Sequence, residues 1–165
     1  MYKRVLARRL AVQALYQWQM TALNVDDLLL EFDLERELGK ADKSYFIEVI
    51  TGVVQCFKEL KSDLQNVLDR DWERIQVVER SILLIGALEL REEKIPSTVV
   101  INESIELCKR FGTVDGFKYV NGVLDALKEV HDCPVSYGSF FLTFLVSIQR
   151  WSVRDIELFE RREIK

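Results

Sequence analysis

The chain is poor in the groups that most protein chemistry needs. One histidine, His131, serves all 165 residues. A Ser-His-Asp or Cys-His arrangement therefore has a single candidate base, placed near the expected end of a helix, where it faces the helix dipole. Cys56, Cys108 and Cys133 are odd in number and lack Cys-x-x-Cys spacing, so neither a disulfide framework nor a zinc site is indicated, and a reducing cytoplasm is the expected location. Glu103 and Glu106 have no neighbouring histidine to complete a di-metal site and read as solvated face charges. Neither G-x-x-x-x-G-K-S/T nor G-x-G-x-x-G occurs, which leaves nucleotide cofactors without a phosphate loop. The reading is of a protein that is not an enzyme, with no metal and no cofactor. Two prolines and seven glycines disfavour a turn-rich β-sandwich. The longest uncharged stretch, Cys133 to Gln149, is interrupted by Pro134 and Gly138, so no membrane span is expected.

What is present is a helix-forming composition. Hydrophobic residues make up 48% of the chain and charged residues 30%, suited to one soluble all-α domain with a sizeable core. The net charge is −4, but it is unevenly spread. Lys3, Arg4, Arg8 and Arg9 stand in the first twenty residues with no acid among them, whereas residues 21–40 are acid-rich. Such a basic end neutralises phosphates or is simply a solvated helix end. Gln13 adds an amide able to read a base edge and Tyr16 a ring able to stack, a mixture suited to single-stranded RNA.

Residues 4–23 contain no Gly or Pro and carry two apolar rows at helical spacing. Leu6, Leu10, Ala14 and Trp18 form one. Val12, Tyr16 and Met20 form the other, which is either a partner surface or the second buried side of a sandwiched helix. Asn24 or Asp26 caps a short helix ending near Leu38 and Gly39. The spacing then predicts one long helix from Ser44 to Asp69, with Gly52 at a close helix approach. A deeply buried helix follows at Val77–Leu90, another from Ser97 or Thr98 to Gly112, and a last one from Thr113–Asp115 towards His131. Gly112, Gly116 and Gly122 read as helix-end and packing positions. No internal repeat is found. Residues 132–165 change character, with Phe140, Phe141, Phe144 and Trp151 in a short span. They read as an added helix, an apolar patch for a partner or membrane surface, or sequence foreign to the ancestral fold.

Four blocks carry a resemblance: ARRLAVQALYQWQ at 7–19, VERSILLIGALEL at 78–90, INESIELCKRFGT at 101–113 and DGFKYVNGVLD at 115–125. In this order, over roughly residues 3–130, the chain resembles the NusB family of bacterial transcription antitermination factors. The resemblance implies an all-helical fold of about seven helices in two packed sub-bundles, a helical domain over 1–131 and a C-terminal extension over 132–165. It also implies binding to the boxA element of ribosomal RNA transcripts together with NusE, small-subunit ribosomal protein ten, within an RNA polymerase complex that resists termination. By that resemblance the RNA surface falls on Lys3, Arg4, Arg8, Arg9, Gln13, Lys118 and Tyr119, and partner contacts fall on Tyr16, Glu79 and Asp115. Phe117 departs from the family's G-H-K-F motif, where His is common. Two other readings stand beside this one: a protein-only adaptor, and an accessory domain for ribosomal RNA methylation.

Overall fold

The computed structural model describes residues 2–33 and 38–132. The described residues contain seven α-helices and two short 3-10 turns, with no strand among them. The helices are α1 (Tyr2–Thr21), α2 (Val25–Asp33), α3 (Lys43–Gln55), α4 (Phe57–Gln65), α5 (Val77–Glu92), α6 (Ser97–Phe111) and α7 (Gly116–Asp132). The 3-10 turns lie at Leu38–Lys40 and Trp72–Arg74. The expected extension from residue 132 onward lies, but for the backbone of Asp132, outside the described residues.

Helix α5 is the axis of the fold. Every residue from Ser81 to Leu90 is buried, because α1, α3, α4 and α6 all pack against it. A helix apolar on all sides is stable only when surrounded in this way. The apolar side chains of the helices merge in one cluster, with Leu10, Leu15, Phe46, Ile50, Ile82, Leu84 and Leu124 fully buried. Close approach requires glycine at Gly86, where a Cβ would lie 2.8 Å from Leu124 Cδ1.

The long helix expected from Ser44 to Asp69 is instead two helices. Cys56 leaves helical geometry (φ −99°, ψ 17°) while its N–H still donates to the Gly52 carbonyl. The break redirects α4. Phe57 then meets the Trp18 ring edge-on at 5.1 Å between centroids, and Leu60 and Leu64 remain in the core. Asn24 is the cap of α2, accepting from the Asp27 N–H at 3.0 Å. Gly39 belongs to the 3-10 turn rather than closing that helix. Pro96 occupies the N-cap position of α6 without a side-chain bond, making Ser97 its first residue. Gly122 is exposed and has nothing within 4 Å of an added Cβ, so it is not a packing position.

Candidate nucleic-acid interface

Helix α1 carries most of the expected site, and its side chains divide by direction. Lys3, Arg4 and Gln13 are exposed and Arg9 is half-buried. Arg4 keeps a loose contact to Asp42, with 3.5 Å between Nε and the carboxylate, and its side chain remains 54% exposed. Arg8 turns inward. Its Nε donates to both carboxylate oxygens of Glu89, at 3.0 and 3.2 Å, and Nη1 lies 3.7 Å from Glu103. Its guanidinium also sits 5.2 Å from the Tyr45 ring centre. At 4% exposure Arg8 has almost no surface to offer a phosphate. Its place in the basic cluster is that of a core ion pair which sets the rotation of α1. Glu103, expected on a solvated face, is drawn into the same network. Burial pushes the Glu89 carboxyl above its ordinary range, against the opposing pull of Arg8.

Two adjoining clefts run along one stripe of α1, at i, i+4 spacing, against the end of α6. The first, about 270 Å³, is lined by Val5 and Arg9 on α1 and by Glu103, Glu106, Leu107, Lys109 and Arg110 on α6. The second, about 550 Å³, is lined by Val12, Gln13, Tyr16, Gln17, Met20 and Thr21, facing Phe32, Val78 and Phe111. The row left open between partner surface and buried flank is divided in its exposure. Val12 is buried at 2% exposure, while Tyr16 and Met20 are 43% and 60% exposed. The first cleft is of mixed charge, with Lys109 paired to Glu106 at 2.7 Å, and its Arg110 is followed in the chain by Phe111 of the apolar groove.

The remaining expected residues gather around the loop from α6 to α7. Glu79 is buried and accepts from Thr113 twice, from the hydroxyl at 2.6 Å and the backbone N–H at 3.3 Å. Gly116 is required beside it, since a Cβ there would lie 2.2 Å from Glu79 Oε1. Glu79 therefore pins the loop rather than presenting a surface charge. Asp115 is exposed and pairs with Lys118 Nζ at 2.9 Å. Phe117 is half-buried, with Lys109 and Lys118 Nζ each 5.8 Å from its ring centre. Tyr119 is half-buried. Burial first, then the nearby Asp69 carboxylate, pushes its phenol up to about 12, so it stays neutral at ordinary pH.

A family model described as the NusB family matches residues 6–129. The chain belongs to the NusB family. Transcription antitermination protein NusB of Alcanivorax borkumensis is 48% identical over 122 residues, which make up 73% of this chain and 81% of that protein. The T. maritima NusB structure superposes with a TM-score of 0.67 at 31% identity, covering 78% of this chain and 93% of that one. A crystal structure of antitermination factors NusB and NusE in complex with dsRNA matches in fold, with a TM-score of 0.66 at 24% identity over 79% of this chain and 98% of that one. No helix among the described residues is long and apolar enough to cross a membrane.

Sequence reasoning missed Lys109, Arg110 and Phe111 as members of the surface, because they come from α6 and meet α1 only in the folded chain. It also missed Glu89, for which a signal exists. An acid between Leu88 and Leu90 in a fully apolar helical run requires a buried cation, and a basic helix elsewhere in the chain supplies the candidates.

Proposed function

We propose that this protein is a non-enzymatic, cytoplasmic RNA-binding adaptor for transcription antitermination. In this reading it binds boxA-type single-stranded RNA together with NusE and joins the complex that keeps RNA polymerase from terminating. The observation that carries the reading is the pair of adjoining clefts on one stripe of α1. Arg9 lines the first cleft with Lys109 and Arg110 opposite, Gln13 lines the second, exposed Lys3 and Arg4 add charge at the start of α1, and Lys118 stands near the start of α7. These groups suit phosphates and base edges. The apolar groove with Tyr16, Met20 and Phe111 suits a protein surface, and we assign it to NusE. Glu79 acts there by holding the loop that carries Asp115. The net charge of −4 makes RNA affinity of the chain alone modest and gives a basic partner room to raise it. Residues 1–131 form the RNA-binding domain in this proposal, and residues 132–165 are an extension.

The test is fluorescence anisotropy with labelled boxA RNA, a scrambled strand and a duplex, with and without NusE. Arg4→Ala with Arg9→Ala is the informative variant, since replacing Arg8 would damage the core. Tighter boxA binding with NusE, lost in that variant while its unfolding is unchanged, is the expected result. Equal affinity for boxA and scrambled RNA alongside firm NusE binding would instead favour a protein-only adaptor.

A further inference from the structure

We propose that the Arg70 guanidinium, laid against Tyr119 and clamped by Asp69, is a platform on which an RNA base stacks. The proposal rests on the RNA-binding reading above and adds a residue to it. The Arg70 guanidinium carbon lies 4.2 Å from the centre of the Tyr119 ring, and the Asp69 carboxylate accepts from Nε at 2.8 Å and Nη2 at 3.2 Å. Half of the Arg70 side chain, 48%, stays in contact with solvent.

Three consequences follow from this geometry. The Asp69 fork occupies the Nε–Nη2 edge, one of the two edges with which an arginine grips a phosphate, and it balances the charge. The contact also holds the guanidinium plane in a fixed orientation, backed by an aromatic ring, and that flat face is a stacking surface for any base. Tyr119 therefore meets RNA through Arg70 rather than directly. Exposed Lys118 stands one residue before Tyr119, a cation placed for the neighbouring phosphate.

The experiment uses the full chain with NusE and boxA RNA carrying 2-aminopurine at one position at a time, so that stacking quenches the probe. Arg70→Ala weakens binding about tenfold, the scale of one lost base stack, and abolishes quenching at one position. Arg70→Lys, which keeps the charge and loses the plane, does nearly the same. The log-log salt slope stays unchanged in Arg70→Ala. A slope shallower by about 0.7, or full affinity in Arg70→Lys, would make Arg70 an ordinary phosphate contact and overturn the platform. Tighter binding by Arg70→Ala would make it a lid over Tyr119 and overturn the platform as well. If the wild-type chain with NusE binds no RNA, the functional reading falls and the platform with it. If the wild type binds and the Arg70 variants match it, the platform alone falls.

Discussion

Removing either partner of the Arg8–Glu89 pair should destabilise the protein, but only one of the two losses should be relieved by acid. The side chains are 5% and 4% exposed, with Nε to Oε1 at 3.0 Å, so each loss leaves a charge inside the protein. Glu89→Leu strands Arg8 with the Glu103 carboxylate at 3.7 Å and the Tyr45 ring beside it, and a guanidinium has no neutral form to fall back on in a protein. An uncompensated buried charge costs about 3–5 kcal/mol, or about 10–15 °C in Tm for a domain of this size. Arg8→Met strands Glu89, which has an escape. Its carboxyl already titrates above the ordinary range because of burial, and loss of Arg8 removes the two influences that hold it down. A folded carboxyl raised above its unfolded value takes up its proton first. The stability linked to it is complete below the unfolded value and is lost as pH rises through the folded one. Arg8→Met should therefore recover part of its deficit between pH 7.5 and 5.5, whereas Glu89→Leu should not. Arg8→Met with Glu89→Leu should be more stable than Glu89→Leu alone, because no unpaired charge remains at that pair. Urea unfolding at both pH values reads all three variants. Parallel deficits for the two single variants at both pH values would refute the reasoning.

Gly116→Ala should cost about 1–3 kcal/mol, because its Cβ displaces Glu79 from Thr113 and leaves a buried carboxylate short of partners. Gly122→Ala, in open space on α7, should stabilise by about 0.5–1 kcal/mol. Urea titration of the pair checks both signs, and equal effects would refute the assignment. Cys108 is fully buried, and burial pushes its thiol up to about 11. With about 0.1% thiolate at pH 8, it should resist Ellman's reagent until the chain unfolds, as read by peptide mass spectrometry. Labelling in the folded protein would contradict that placement.

Some elements are legible in the sequence residue by residue, and others leave no trace there. VERSILLIGALEL announces a helix buried on all sides, and that helix is α5 because no polar face interrupts it. The break at Cys56 left no mark, since Phe57, Leu60 and Leu64 keep helical spacing across it and no Pro or Gly stands there. Half of the apolar groove was legible as the Val12, Tyr16 and Met20 row. Its facing wall, Phe32, Val78 and Phe111, comes from three other helices whose residues read as ordinary packing. Lys3, Arg4, Arg8 and Arg9 look alike as a basic cluster. What separates Arg8 from the rest is Glu89, 81 positions away, and helical phase alone did not reveal it.

That separation gives α1 its working arrangement. Successive arginines on a helix point about 100° apart, so with Arg8 fixed on Glu89, Arg9 is turned into the cleft against α6. Gln13 and Tyr16 then follow along the same stripe. The buried pair supplies little net stability compared with an apolar equivalent. What it fixes is rotation, because sliding α1 by one residue would carry Arg8 out of reach of Glu89 and move Arg9 and Tyr16 off their clefts together. A matched apolar replacement of the pair should therefore preserve the fold while loosening the geometry of the interface. In Arg8→Met with Glu89→Leu, boxA affinity in the presence of NusE should fall although unfolding stability does not. Full affinity in that variant would show that packing alone holds α1 in register.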